Sequence, residues 1–277
     1  HYQILQVRDY TMRPKALDEL FAAVCFFTRI PLYKFIPNIH PDSYRNVVAY
    51  WSIVGILTGG SMALGMYLGG ILWGAVGGAL MAVLFRLLLT GALHEDGWAD
   101  CCDAFGGSCS REKALAIMKD SHIGTYGVLG LIVHFSLLSL MLVLLQIYAS
   151  GWGLCLLIVW LDVSSKALVS LLHNFFPYAR EEQEAKVGFS FKSLSIRGIC
   201  YEFTPALLLF IGLLLLRPSL WWALLGALGI GGITFFAALR YLKHRIGGYT
   251  GDCYGGIFLL VELISYLSLI ALLPHTL

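Results

Sequence analysis

Residues 71–93 read ILWGAVGGALMAVLFRLLLTGAL, an apolar run broken by a single charge. A helix needs about 20 consecutive apolar residues to cross the hydrocarbon of a bilayer, and in lipid only helices and closed barrels satisfy their own backbone. More runs of Leu, Ile, Val and Ala follow, without the ten-residue alternation of barrel strands. The chain is therefore expected to be an all-α, polytopic integral membrane protein. Its composition agrees: 58% hydrophobic, 13% charged, and a mean hydropathy of +0.76, far from the habits of a soluble domain.

Seven spans are expected, at about 48–68, 70–93, 126–149, 152–174, 203–216, 219–240 and 256–274. The fifth is the shortest and stops at Arg217-Pro218; it is either tilted or paired with the sixth as a hairpin. The stretch LDELFAAVCFFTRIPLYKF at 17–35 is too short and too amphipathic to span, and predicts an interfacial or re-entrant helix ended by Pro31. One integral membrane catalytic domain is expected over 1–277, with 1–16 as a flexible lead-in.

Lysine and arginine orient such a chain. Arg8, Arg13, Lys15, Arg29, Lys34 and Arg45 precede the first span; Arg111, Lys113 and Lys119 follow the second. Arg180, Lys186, Lys192 and Arg197 follow the fourth, and Arg240, Lys243 and Arg245 the sixth. Seven spans put all four groups on one side, opposite the lone Arg217, which predicts a cytoplasmic N-terminus and cytoplasmic chemistry. The seven cysteines lack regular spacing, so no disulfide framework is expected.

Three clusters could carry that chemistry. In HEDGWADCCD at 94–103, Asp96, Asp100 and Asp103 are spaced i, i+4, i+7 on one helix face. Like charges so close repel unless a cation stands between them, and oxygen ligands suit Mg²⁺ or Mn²⁺, which would in turn bridge a phosphate. In IMKDSHIGTYG at 117–127, Lys119 is a cation, Asp120 a further carboxylate, and Ser121, Thr125 and the glycines let amides approach an anion; His122 lies among them. In LKHRIGGYTGDCYGG at 242–256, Thr250 and Asp252 could join a metal or phosphate shell, with Lys243, His244 and Arg245 facing phosphate.

Arg86, Asp162, Lys166 and Glu262 fall inside spans, where ionisable groups are functional by default; Asp162 and Lys166 at i, i+4 could equally pair with each other. Arg29 and Arg180 are candidate phosphate clamps, with membrane-surface anchoring as the alternative. His94, His122 and His244 lack zinc-site spacing, and His94 reads as structural before it reads as a ligand.

HEDGWADCCDAFGG, REKALAIMKDSHIGTYG and GGYTGDCYGG followed by Glu262, in this order, resemble the cobalamin synthase family, the adenosylcobinamide-GDP ribazoletransferases. The likeness runs from FFTRIP at 26 to the last span. Glu95 departs from the family's apolar habit, and His122 stands where relatives often carry arginine. The resemblance implies a Mg²⁺-dependent enzyme of the bacterial inner membrane, with the lipid bilayer and two substrates as partners and no nucleic acid. The ribose hydroxyl of α-ribazole, or of its 5′-phosphate, would attack adenosylcobinamide-GDP, giving adenosylcobalamin or its 5′-phosphate and GMP. A homo-oligomer stays open.

Carried onto this chain, the resemblance implies that Asp96, Asp100 and Asp103 hold one or two ions, with Asp120 and Asp252 as further ligands or a base. Lys119, Arg29, Arg180 and Arg245 would neutralise phosphate, with His122, Thr125, Thr250 and Glu262 on the substrate. Two rivals share parts of the pattern. A CDP-alcohol phosphotransferase also uses a D-G-x-x-A motif, but here Ala99 comes one place early and Asp100 follows. A divalent cation transporter would use Asp162, Lys166 and Glu262 as an ion path.

Overall fold

A computed structural model describes residues 13–36, 38–107, 110–179 and 191–276. Its helices are α1 (Lys15–Phe27), α2 (Trp51–Thr90), α3 (Leu93–Gly106), α4 (Arg111–Lys119), α5 (Thr125–Tyr148), α6 (Gly151–Val169), α7 (Leu172–Phe175), α8 (Ile196–Leu216), α9 (Trp221–Ile246) and α10 (Gly251–Leu272). Among the described residues the only β pairing is an isolated bridge between Tyr178 and Tyr249.

Six helical stretches are long and apolar enough to cross a membrane. The first of them doubles back. Trp73 and Gly74 leave helical geometry, with Gly74 at φ +70°, a left-handed turn that costs glycine little. Beyond the turn the two limbs run side by side, so closely that Gly65 faces the Met81 backbone and Gly69 the Gly77 backbone. The described residues thus hold seven apolar limbs, with the hairpin turn a few residues later than the break expected near 69. Their outer faces carry Ile71, Trp73, Trp152, Leu215 and Ile233, all well exposed, as lipid-facing side chains are.

Boundaries differ from expectation most at the start of α8, at the end of α9, which runs past 240 to Ile246, and at the start of α10, which begins at Gly251 rather than 256, while α1 stops where Pro31 requires. α1 ends at Phe27, because the Pro31 ring would clash with the carbonyl four residues back. α8 starts at Ile196, seven residues before the expected span, and passes through Pro205. Pro205 cannot donate to the Tyr201 carbonyl, which the Ser52 hydroxyl approaches instead at 3.5 Å. The Ser195 hydroxyl caps the new start by accepting from the Gly198 N–H.

α1 is no span; it is tied to the 3-10 segment Pro41–Tyr50 by its buried acids. Asp18 accepts from the His40 N–H (2.7 Å) and the Ser43 hydroxyl (2.9 Å), and Glu19 from Asn46 (2.6 Å) and Tyr50 (3.2 Å). Two apolar cores result. One packs α1, the start of α2, α3, α4 and the first half of α10; the other fills the opposite end between α2, α5, α6, α9 and the end of α10.

The basic segments meet at the first end. Arg111 donates to the Ala179 carbonyl, Arg245 to the Gly107 carbonyl, and the Lys192 N–H to the Arg45 carbonyl. At the other end Arg217 donates to the Tyr148 carbonyl and Gln146 to that of Ala75.

Candidate active site

α3 joins the three clusters. Toward α10 the helices touch backbone to backbone: a Cβ on Gly97 would stand 2.6 Å from the Asp252 carbonyl oxygen, and one on Gly255 2.7 Å from that of His94. No larger residue fits at either point. Toward α5, Asp103 accepts from the Gly124 N–H (2.7 Å) and the Gly127 N–H (2.8 Å), one amide on each carboxylate oxygen. It thereby serves the amides at the start of α5, which have no helical partner of their own. Arg29 arrives from a third direction: its N–H donates to the Leu89 carbonyl and its side chain lies against Gly91, just before α3.

At the head of α3 is a cavity of about 180 Å³. Asp96 and Asp252 border it together with His94 and the aromatic rings of Phe26, Phe27, Trp51, Tyr178, Phe191 and Tyr254. Asp96 is exposed and Asp252 nearly covered. The imidazole of His94 stacks on Phe27 at 6.3 Å and lies 5.5 Å from Trp51 and 5.0 Å from Phe258. Burial there pushes its pKa well below the usual histidine value, and neither ring nitrogen has a hydrogen-bond partner.

The other sequence-predicted residues divide by where they lie. Lys119, Asp120, His122 and Thr125 are exposed in and beside the α4–α5 loop, which Asp103 links to α3. There the Asp120 carboxylate pairs with the His122 ring at 2.6 Å, which lowers the Asp120 pKa and raises that of His122. Arg245 is held over Phe105 and donates to the Tyr241 hydroxyl at the foot of α9. Asp100 lies half-buried one turn along α3 from Asp96. Arg180 lies outside the described residues, with Arg8, Cys109, Glu181 and Lys186.

Two predicted substrate contacts are enclosed by protein. Thr250 is fully buried, with its hydroxyl against Met118 and Cys253. Glu262 is fully buried and accepts from Arg86 at 2.7 Å, while Glu95 stands 3.3 Å from the other arm of the same guanidinium. Neither borders the cavity. Asp162 and Lys166 do pair, with Thr58 hydrogen-bonded to both.

Sequence reasoning missed three things: the aromatic wall, the Arg86–Glu95 contact, and Glu202, which accepts the Ser52 N–H at the start of α2. The atypical Glu95 was the signal for the second, since a carboxylate at a position whose family habit is apolar is buried and needs a cation.

The donor chemistry here suits a hard cation. Asp96 and Asp252 both line one cavity, Asp252 with its Oδ2 buried, and Asp100 follows on the same helix. Among the described residues, no three His, Cys, Asp or Glu side chains stand at ligand spacing. The carboxylates therefore offer ligands without forming a finished cage.

Comparison with known proteins addresses the chain as a whole. The family model described as cobalamin-5-phosphate synthase matches residues 19–270. An adenosylcobinamide-GDP ribazoletransferase of Leptothrix cholodnii is 35% identical, over 91% of this chain and 94% of its own length. One of Vibrio parahaemolyticus is 35% identical over 95% of this chain and 96% of its own, and one of Shewanella amazonensis 32% over 93% and 96%. No solved structure matches.

Proposed function

Because the chain belongs to the cobalamin-5-phosphate synthase family, as a membrane-embedded transferase of adenosylcobalamin biosynthesis, we propose that the cavity end of α3 is where adenosylcobinamide-GDP meets α-ribazole or its 5′-phosphate. The observation that carries this reading is the meeting on α3 of three polar segments, one on each side and one at its head, beside a cavity bordered by Asp96 and Asp252. The family assignment leaves the lipid phosphotransferase and the cation transporter without support.

In the reaction the ribose hydroxyl oxygen bonds to the phosphorus that stays on cobinamide. The bond from that phosphorus to the bridging oxygen breaks, and GMP leaves with the electron pair. Asp96, Asp252 and Asp100 would hold Mg²⁺, or Mn²⁺ in its place, which supplies charge neutralisation on the pyrophosphate oxygens. To Asp96, the exposed carboxylate at the cavity, we assign the acceptance of the hydroxyl proton. Arg29 and Lys119 stand at the head of α3 and in the linked loop as cations for phosphate. Asp103 acts on position, holding the loop with Asp120, His122 and Thr125 against α3. The basic end of the fold faces the cytoplasm of a bacterial inner membrane, as the positive-inside bias directs.

The test is turnover by the purified protein in nanodiscs. With adenosylcobinamide-GDP, α-ribazole and Mg²⁺, GMP and the cobalamin product appear in equal amounts, and chelation of the divalent ion stops both. No GMP with active substrates and metal would overturn the proposal; continued turnover under chelation would overturn its metal component.

A further inference from the structure

We propose that the aromatic cavity at the head of α3 seats the dimethylbenzimidazole base of α-ribazole, with His94 donating to its one unalkylated ring nitrogen. This rests on the functional reading above and names which substrate, and which part of it, the cavity takes.

Size comes first. A cavity of about 150 Å³ is enough to enclose a benzene ring, so the 180 Å³ found here admits a small flat aromatic group and is too small to enclose a corrin. The walls are rings at varied angles: Phe27 stacks on Trp51 at 5.3 Å, Phe191 meets Phe26 and Tyr254 edge-on, and Tyr254 stands edge-on to Trp51. Such a lining favours a flat apolar ligand.

With the bordering Asp96 and Asp252 carboxylates assigned to metal and proton, the polar inventory of the aromatic wall then separates the two bases in the reaction. Guanine carries several donors and acceptors around its edge, and each needs a partner once dehydrated. A dimethylbenzimidazole joined to ribose through one nitrogen has a single polar ring atom, its other nitrogen, which accepts. His94 is 2% exposed, borders the cavity, and has no partner for either ring nitrogen. A buried imidazole without a partner calls for an explanation, and a ligand atom brought against this wall supplies one. The indole N–H of Trp51 is the other unpartnered group on the aromatic wall, and the test must separate the two. With the base seated inward, the ribose lies toward Asp96, where its hydroxyl reaches the carboxylate that takes the proton.

The experiment compares α-ribazole with its indole riboside analogue, in which the accepting ring nitrogen is replaced by C–H. Wild-type protein should show kcat/KM about tenfold lower for the indole riboside, the worth of one buried hydrogen bond. His94→Ala should raise KM for α-ribazole about tenfold, leave KM for adenosylcobinamide-GDP within about twofold, and lose the discrimination between ribosides. Trp51→Phe, which keeps a ring and removes only its N–H, should retain that discrimination. Loss of discrimination in Trp51→Phe, or its persistence in His94→Ala, overturns the assignment to His94.

A wild-type binding arm covers a His94→Ala protein that fails to fold. α-Ribazole should quench the tryptophan fluorescence of the full-length protein and guanosine should not displace it. Displacement by guanosine makes the cavity a guanine site and overturns the proposal. A wild type that binds α-ribazole in this way yet releases no GMP fails the functional reading and leaves the base site standing.

Discussion

Asp96, Asp100 and Asp103 share one face of α3, yet they do not share a fate. Seven residues of helix carry Asp103 about 10 Å beyond Asp96, past the cavity and onto the start of α5, where two amides take both its oxygens. Spacing alone shows the common face; it does not show which neighbour each turn meets. The Asp120–His122 pair gives a pH prediction at this scale. Asp120 holds a proton on His122, so the His122 pKa lies above its usual value. The favourable pairing is complete at pH below the ordinary histidine pKa and is lost as pH rises through the raised one. NMR titration of His122 should show this upward shift, and Asp120→Asn should return it to the ordinary range; an unshifted His122 in the wild type contradicts the pairing.

At the scale of elements, Arg86 is the fastener between α2, α3 and α10. Its guanidinium is fully buried between Glu95 and Glu262, one from each partner helix. Removing one member of such a group leaves an uncompensated buried charge, which costs about 3–5 kcal/mol. Arg86→Leu should therefore lower unfolding stability in detergent by about that much, while Arg86→Leu combined with Glu95→Leu and Glu262→Leu should recover most of it. A single Arg86→Leu protein as stable as wild type would show that the group contributes no net stability. The sequence marked Arg86 and Glu262 as costly in lipid, but their pairing joins residues 176 positions apart, beyond the reach of any local period. Helix ends were legible where proline or glycine sets them, as at Pro31, and illegible at Ile196, where IRGICYEF reads as polar loop until Glu202 finds the start of α2.

At the scale of the whole molecule, the apolar runs made the bundle legible, because hydrocarbon thickness leaves little choice of helix length. Seven limbs emerge once the turn at Trp73-Gly74 is counted. The basic segments that charge sorting placed together do meet at one end, through Arg111, Arg245 and the Lys192–Arg45 contact. The aromatic cavity was not legible, since α1, the start of α2, α3, the segment before α8 and α10 each supply only one or a few of its walls. The central claim is that this end of the bundle transfers a phosphoryl group with Asp96 at its centre. It is tested most directly by the rate of GMP release from adenosylcobinamide-GDP and α-ribazole by Asp96→Asn in nanodiscs. Loss of the carboxylate that accepts the hydroxyl proton predicts a fall in kcat of about 10²–10⁴, with an unchanged unfolding temperature because Asp96 is exposed; a rate within about twofold of wild type would contradict it.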